Sequence, residues 1–289
     1  MSRRDDVIAR LWRARADLGR RIGRRGDAGA ALDVFGEADR SRPSEWARAT
    51  STGVDRYRSA FRPAAATAAV VCVSQRPWMF ADAVANVARQ AELDIEVVFV
   101  TNHPGFADID VDRHLVGLPT ATVIDLPVTV TLGACLNAGL AATGERFVAK
   151  FDDDDWYGAH YLSDALRAHG YAGAGVVGKH SYYADVGDPP VRYLRFPGHE
   201  FSYTSTLAGG TLVIDRERVG DLAFDDVSIG EDRQFIRSCH RRGVSTFSAD
   251  RFGFVQRRTG DNTWAVPDAQ FLVGCVAVDP SCPGHLVDR

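Results

Sequence analysis

The sequence contains one stretch that joins a predicted strand to four consecutive carboxylates, Arg146-Phe147-Val148-Ala149-Lys150-Phe151-Asp152-Asp153-Asp154-Asp155. The apolar part of the stretch is typical of a strand, and the aspartates stand directly at its end. Two carboxylates about 4 Å apart repel each other by roughly 4 kcal/mol at an effective dielectric of about 20, so four in a row require a compensating cation. Carboxylate oxygens suit Mg²⁺ or Mn²⁺ rather than zinc.

The ligand of such a metal ion can be inferred from its usual coordination. Mg²⁺ usually takes only one or two carboxylates and completes its shell with water and substrate phosphates. The cluster therefore indicates a nucleotide or a sugar nucleotide. A solvated acidic turn, or an N-cap in which Asp155 precedes a helix, explains the same residues without any ligand. The stretch alone supports both explanations equally.

The sequence around the cluster predicts an α/β fold, because short β-branched runs alternate with helical stretches from residue 67 onward. Before the cluster we expect strands over Thr67 to Val73, Ile95 to Thr101 and Ala121 to Leu126, and helices over Met79 to Gln90 and Leu132 to Ala142. Ligands of open α/β sheets bind outside the carboxyl ends of the strands. Polar residues follow three of the predicted strands: Ser74-Gln75-Arg76-Pro77, Asn102-His103 and the four aspartates.

The chain after the cluster continues the alternation and adds a second acidic pair. We expect a helix over Tyr157 to His169, a strand at 175–177, a loop or hairpin at 185–200, a strand at 211–214 behind Gly209-Gly210, and a helix from about residue 230. Glu231 and Asp232 open that last helix, where stabilisation by the helix dipole alone would explain both carboxylates. Arg257, Arg258 and Trp264 are predicted to lie in a loop. There they offer donors for phosphate and a face for a sugar ring, or only surface charge and packing.

Composition describes a globular protein with an uneven charge distribution. The 289 residues are 45 % hydrophobic and include neither a membrane-spanning run nor a signal peptide, which predicts a cytoplasmic protein. The five cysteines lie far apart and fit reduced thiols. Residues 1–25 hold nine arginines and three aspartates, a net charge of +6, which leaves −10 for the remainder of a chain with a total of −4. Basic residues of the main body are scattered, so nucleic acid is not an expected partner.

The first 60 or so residues are predicted to be helical. Val7, Ile8, Leu11, Leu18 and Ile22 fall close to one helical face, and the arginines lie largely on the other. Packing of this helix against its own acidic domain is the favoured interpretation. A peripheral contact with the inner membrane face is the alternative, because basic amphipathic helices also bind anionic lipid.

The order of the motifs resembles that of the family 2 glycosyltransferases with the GT-A fold. The matching pieces extend from about Ala68 to Trp264: the strand at 70–74, the helix at 132–139, Lys150 with the aspartates, Gly209-Gly210-Thr211, Gly230-Glu231-Asp232 and the segment 258–264. This resemblance implies a mixed, mainly parallel sheet with flanking helices. We therefore expect a helical appendage at 1–66, a GT-A domain at 67–265 and a C-terminal tail at 266–289.

The resemblance also implies an activity, the transfer of a sugar from a nucleoside-diphosphate sugar, with a UDP-sugar favoured, to an acceptor hydroxyl with inversion. Asp152 and Asp154 match the Asp-x-Asp motif of the family. Asp152 is therefore expected to contact the ribose or the metal ion, and Asp154 to bind Mn²⁺ or Mg²⁺, with Asp155 or Asp153 in support. The Glu-Asp motif falls on Glu231 and Asp232, of which Asp232 is expected to be the general base.

Further residues are expected to bind the nucleotide by the same resemblance: Ser74, Gln75, Arg76, Asn102, Lys150, Arg257 and Arg258. Lys179 is a further candidate for stabilising the charge on the leaving diphosphate. The sequence departs from the family at two of the matched positions. An acidic residue that binds the base is common where Asn102 stands. A histidine that binds the metal ion is common where Asn262 stands, and an amide oxygen is a weaker ligand.

Two other functions are compatible with acidic sites on such a sheet. A nucleotidyltransferase would normally carry a glycine-rich basic loop after the first strand, and Ser74-Gln75-Arg76-Pro77 contains no glycine. A non-catalytic protein that binds sugar nucleotides or carbohydrate would keep the acidic sites without turnover. The sequence leaves the acceptor open among glycans, lipids, proteins and metabolites, and it does not specify the oligomeric state.

Overall fold

The computed structural model describes residues 54–118, 120–259, 262 and 266–278, which form two β-sheets flanked by helices. The strands are β1 (Thr67–Ser74), β2 (Asp94–Thr101), β3 (Ala121–Asp125), β4 (Phe147–Asp152), β5 (Trp156–Tyr157), β6 (Val176–Gly178), β7 (Tyr182–Val186), β8 (Val191–Arg195), β9 (Ser202–Tyr203), β10 (Val213–Asp215), β11 (Thr246–Ser248), β12 (Phe254–Arg258) and β13 (Cys275–Ala277). The α-helices are α1 (Phe80–Ala88), α2 (Val111–Leu115), α3 (Leu132–Ala141), α4 (Tyr161–Ala172), α5 (Arg216–Val219), α6 (Glu231–Arg241) and α7 (Asp268–Phe271).

The larger sheet has eight strands in the order β3-β2-β1-β4-β10-β6-β11-β9. Strands β1 to β4 are parallel to one another, and β10 runs antiparallel to both β4 and β6. The carboxyl ends of β1, β2 and β4 therefore meet at one edge, which carries the polar residues that follow these strands. The predicted α/β fold with a mixed, mainly parallel sheet is confirmed.

The core lies on both faces of this sheet. Val70 and Cys72 of β1 belong to a cluster that includes side chains of α1 and α4, whereas the intervening Val71 belongs to a second cluster with side chains of α3 and α6. Strands that are covered on both faces need apolar side chains at every position. This burial explains why β1 is a continuous apolar run rather than an alternating one.

The smaller sheet has the order β13-β8-β7-β12-β5 and continues directly from the aspartates. Strand β4 ends at Asp152 in the larger sheet, and β5 begins at Trp156 in the smaller one. The turn between them therefore connects the two sheets. Strand β13 extends the smaller sheet past the predicted domain boundary at residue 265.

Two expected elements differ in the structure. The helix predicted from Tyr157 begins only at Tyr161, because Trp156 and Tyr157 pair with β12. The segment with Arg257 and Arg258, predicted as a loop, is the end of strand β12 and runs parallel to β7. The segment predicted as a loop or hairpin at 185–200 includes the turn and second strand of the β7–β8 hairpin.

A short helical segment at 54–60 packs on α4 before the first strand. The Arg58 guanidinium binds both carboxylate oxygens of Asp164, and the ring of Tyr57 lies in the core. Residues 1–53, which hold most of the predicted appendage and its basic helix, lie outside the described residues. In the part that the structure describes, no helix has the length and apolar character needed to span a membrane.

Candidate active site

The turn after β4 carries four carboxylates that the fold partly neutralises itself. The Arg76 guanidinium lies 2.6 Å from Asp153 Oδ1 and 2.7 Å from Asp154 Oδ2. The Ser74 hydroxyl donates a hydrogen bond of 2.5 Å to Asp153 Oδ2. Burial raises the pKa of Asp153 to about 6, although the charge of Arg76 opposes this rise. Ser74, the last residue of β1, and Arg76, two residues further on, thus bind the carboxylates in the middle of the acidic turn.

Lys150 brings a second cation to the cluster from within β4. Its ammonium group forms an ion pair with Asp152 and is almost fully buried. Burial alone would lower the pKa of Lys150, but the charges of Asp152, Glu231 and Asp232 outweigh it and raise the pKa above its ordinary value. Lys150 therefore lies between the acidic turn and the acidic start of α6.

Asp155 and Tyr157 fix the far end of the turn. Asp155 Oδ1 accepts a hydrogen bond of 3.0 Å from the backbone N–H of Arg257. Burial, together with the neighbouring aspartates, raises the pKa of Asp155 well above its usual range. The Tyr157 hydroxyl accepts from the backbone N–H of Asp152 at 2.8 Å and donates to the carbonyl of Gly210 at 2.6 Å. Tyr157 thereby ties the turn to the segment before β10.

Two glycines provide the space in which carboxylates from separate elements converge. A Cβ atom built on Gly209 would lie 1.8 Å from Asp232 Oδ2. A Cβ atom built on Gly210 would lie 2.8 Å from Asp152 Oδ2 and 2.9 Å from Asp155 Oδ2. The absence of a side chain at these two positions therefore leaves room for the carboxylates of Asp152, Asp155 and Asp232.

Glu231 and Asp232 form the first turn of α6, behind the left-handed Gly230 with its φ of 82°. Gly230 offers no side chain to cap the helix, and Asp232 Oδ1 accepts a hydrogen bond of 2.5 Å from the backbone N–H of Arg233. The helix dipole favours carboxylates at this end. Burial raises the pKa of Glu231 to about 7, and the charge of Lys150 opposes the rise. The acidic pair therefore belongs to the same electrostatic group as the turn after β4.

The ends of β1 and β2 carry the residues that the sequence led us to expect around a nucleoside. Asn102 donates its amide N–H to the carbonyl of Val130, and its Oδ1 is buried without a hydrogen-bond partner. Its backbone N–H binds the carbonyl of Ser74, which joins the two strand ends. Gln75 is exposed beside them. The buried Asn102 Oδ1 is an acceptor that a donor group of a ligand can satisfy.

Three expected cations do not present their charge to the cluster. Arg257 reaches it only through its backbone, because its guanidinium lies 3.7 Å from Asp82. The Arg258 guanidinium lies over the ring of Phe271 and donates to the carbonyl of Val266. Lys179 was a further candidate for charge stabilisation, but its ammonium group is buried against Asp250.

Asn262 lies beside the cluster but presents a donor to it. Its amide nitrogen lies 2.8 Å from Asp154 Oδ2, and its Oδ1 accepts from the backbone N–H of Thr259 at 2.8 Å. In this orientation the side chain holds Asp154 rather than offering an oxygen to a metal ion. Trp264, which was expected to offer a face to a sugar ring, lies outside the described residues.

Sequence reasoning missed one residue of this site, Tyr157, which was placed in a helix. Aromatic residues near strand ends are common, and the contact with Gly210 depends on the fold. The only sequence signal was the position of Tyr157 directly after the aspartates.

Comparison with known proteins identifies the family of this chain. Residues 69–219, just over half of the sequence, match the family described as glycosyl transferase family 2. The chain belongs to glycosyl transferase family 2. The family resemblance seen in the sequence is thereby confirmed. No curated protein matches the chain by sequence.

Two solved structures share the fold. TarS of S. aureus, residues 1–349 in complex with UDP-GlcNAc, superposes with a TM-score of 0.55 at 16 % identity, over 72 % of this chain and 64 % of that one. The mannosyltransferase PcManGT of Pyrobaculum calidifontis, in complex with GDP-Man and Mn²⁺, gives 0.54 at 15 % identity, over 93 % and 73 %. This family 2 chain thus spans less than two thirds of the TarS fragment. At these identities the likeness concerns the fold alone.

Proposed function

We propose that this glycosyltransferase moves a sugar from a nucleoside-diphosphate sugar, with a UDP-sugar favoured, to an acceptor hydroxyl, with inversion and with Mn²⁺ or Mg²⁺. The observation that carries the proposal is the convergence of three carboxylates, Asp152 and Asp155 from the turn after β4 and Asp232 from the start of α6, at the adjacent Gly209 and Gly210. The similar structures in complex with UDP-GlcNAc, and with GDP-Man and Mn²⁺, support this class of donor.

The oxygen donors of the site fit a hard divalent cation that shares its coordination with phosphates. Asp152 binds Lys150 through Oδ1, and Asp154 binds Arg76 through Oδ2, so each aspartate keeps its other oxygen for a ligand. Within the described part of the chain, no three His, Cys, Asp or Glu side chains are grouped to hold a metal ion alone. Mg²⁺ usually takes one or two carboxylates plus substrate phosphates. Asp152 and Asp154 would therefore hold the ion together with the donor.

The residues around the donor would position it for displacement. Ser74 and Asn102 lie at the strand ends where a nucleoside binds in open α/β sheets, and Arg76 supplies a guanidinium group next to the expected diphosphate. The bound cation would act as a Lewis acid that offsets the charge on the leaving diphosphate. Lys150, buried between both acidic groups, would lower the electrostatic cost of bringing a further anion to the site.

Asp232 is the proposed general base. In the reaction, an oxygen of the acceptor hydroxyl bonds to the anomeric carbon while the bond from that carbon to the diphosphate oxygen breaks. The electron pair of the broken bond leaves with the diphosphate, and the hydroxyl proton passes to the Asp232 carboxylate. Glu231 is buried, whereas Asp232 is partly exposed and lies against Gly209, so Asp232 is the member of the pair that an acceptor hydroxyl can reach.

Calorimetric titration with UDP, in the presence and absence of Mn²⁺, tests the donor site. We expect Mn²⁺ to strengthen UDP binding by at least about tenfold, since the ion would bridge carboxylates and phosphates. Asp154→Asn should remove this gain, whereas Asp112→Asn, on the exposed face of α2, should keep it. Equal UDP affinity with and without Mn²⁺ in the wild-type protein would exclude Asp154 as a ligand.

A further inference from the structure

Among the buried lysine and arginine side chains in the described part of the chain, Arg195 alone has no carboxylate partner. Five lysine and arginine side chains are buried there. Four form ion pairs: Lys150 with Asp152, Arg167 with Glu92 and Asp164, Lys179 with Asp250, and Arg251 with Glu200. Arg195 is only 5 % exposed, and its Nε and one terminal nitrogen lack any hydrogen-bond partner.

The surroundings of Arg195 are aromatic rather than acidic. Its guanidinium carbon lies 3.7 Å from the ring centroid of Phe271, 4.9 Å from that of Phe196 and 5.5 Å from that of Tyr182. Such contacts attract a cation, but they do not satisfy N–H groups that point away from the ring faces. A guanidinium stays charged at any pH that proteins experience, so burial without an anion is costly. Arg195 therefore lacks an oxyanion that would complete it.

The position of Arg195 relates it to the acceptor side of the proposed site. On β8 it pairs with Tyr182 of β7, which in turn packs against Phe254 of β12. The Tyr182 hydroxyl donates a hydrogen bond of 3.2 Å to Gln256 Oε1, and the backbone N–H of the next residue, Arg257, binds Asp155 Oδ1. Arg195 thus lies on the smaller sheet, which Asp155 contacts through Arg257. Arg76 and the nucleoside-binding strand ends lie on the larger sheet.

The segment that follows Arg195 contains two strained residues. Phe196 has a φ of 44° and Phe201 a φ of 49°, both in the left-handed region that bulky side chains avoid. Between them, residues 197–199 are exposed. Strained residues of this kind cluster at ligand-binding sites. The Phe196 ring lies 4.9 Å from the guanidinium carbon and is half-buried, so we expect a ligand to approach Arg195 from the side of this segment.

We propose that Arg195 binds an oxyanion, a phosphate or a carboxylate, carried by the acceptor substrate. This inference rests on the proposed function for its assignment to the acceptor, because the acceptor side is defined by Asp232. The planar guanidinium offers two adjacent N–H groups, a geometry that matches both phosphate and carboxylate. The acceptor would therefore be an anionic molecule.

Anion binding by Arg195 is tested by thermal unfolding of the full chain at constant ionic strength. The two probes are inorganic phosphate and, as the carboxylate, acetate. We expect at least one probe to raise the wild-type melting temperature. Arg195→Met should weaken the apparent affinity for that probe by about tenfold or more, since charged hydrogen bonds are lost. Without a probe, this variant should melt at or above the wild-type temperature, because it removes an unpaired buried charge.

Matched variants separate this site from other sources of the effect. Arg192→Met removes a partly exposed arginine from the same strand and should keep the response to the probe. A response lost in Arg76→Met but kept in Arg195→Met would place the anion at the donor site and overturn the inference. A lower melting temperature of Arg195→Met with an unchanged response, or no wild-type response to either probe, would also overturn it.

A second variant covers the case in which Arg195→Met does not fold. Arg195→Lys keeps the charge but loses the pair of adjacent N–H donors, so we expect a folded protein with a weaker response to the probe. An unchanged response would refute the site.

Titration with UDP distinguishes the failure of this inference from the failure of the proposed function. If UDP binds but no response depends on Arg195, only this inference fails. If UDP and its sugars do not bind while the response depends on Arg195, the proposed function fails instead.

Discussion

Gly209→Ala is expected to disable the proposed base without disturbing donor binding. The added methyl group would lie 1.8 Å from Asp232 Oδ2 and 2.8 Å from its Cγ. Ordinary contact between such atoms needs roughly 3.5 Å, so the carboxylate must retreat by about 1.5 Å or more. Asp232 is half-buried in the first turn of α6 and can move by a change of rotamer. The fold should therefore survive, and the cost falls on the position of the base.

The size of the effect follows from this displacement. Misplacement of a catalytic group by about 1 Å is enough to reduce the rate by roughly 10²-fold. We therefore expect turnover of the donor by Gly209→Ala to fall by about 10²-fold, while UDP affinity stays within about twofold. Turnover is measured as release of nucleoside diphosphate from the sugar nucleotide, and affinity is measured by calorimetry.

Gly144→Ala is the matched control. A methyl group at Gly144 would meet nothing within 4 Å, so this variant should keep both turnover and affinity. Wild-type turnover in Gly209→Ala would refute the argument that Asp232 acts from its position against Gly209. A loss of UDP binding in the same variant would place Asp232 in the donor site instead.

Two other predictions concern stability. Burial raises the pKa of Glu231 to about 7, so the folded state retains a proton that the unfolded state releases. This stabilisation is complete below about pH 4.5 and is lost as the pH rises through about 7. The free energy of unfolding of Glu231→Gln should therefore increase relative to that of wild type as the pH rises from about 5 to about 8. Parallel pH profiles of the two proteins in denaturant unfolding would contradict this prediction. Arg76→Met leaves Asp153 and Asp154 without their cation and should lower the free energy of unfolding by about 2–4 kcal/mol. An unchanged urea midpoint would show that the two ion pairs contribute nothing.

The long strands and helices could be predicted because their patterns extend over many residues. Strand β1 begins at the predicted residue, and α3 agrees with its prediction to within one residue. Strand β5 could not be predicted, because its two residues are too few for any periodicity and its partner β12 lies about 100 residues further along the chain. The pairing of Tyr157 with Phe254 therefore appears only once the fold is known.

Some features of the candidate site could be predicted from the sequence, and others depend on the fold. The acidic residues are visible in the sequence as a run and a pair, and the structure brings Asp152 and Asp155 of the run and Asp232 of the pair to the adjacent Gly209 and Gly210. The partners of the basic residues are not visible, because a long flexible side chain can point either way from a strand. Arg76 turns toward the aspartates, whereas Arg258 turns toward Phe271. Sequence alone could not separate these two arginines.

The role of Asp232 as general base is tested by measuring the release of nucleoside diphosphate from a panel of UDP- and GDP-sugars, with Mn²⁺ and with water as the acceptor. We expect wild-type protein to hydrolyse at least one of these donors slowly. Asp232→Asn should still bind that donor but release the diphosphate about 10²- to 10⁴-fold more slowly, because the general base is lost. Equal rates in wild type and Asp232→Asn would show that Asp232 is not the general base. The absence of binding and of release for every donor would refute the proposed function.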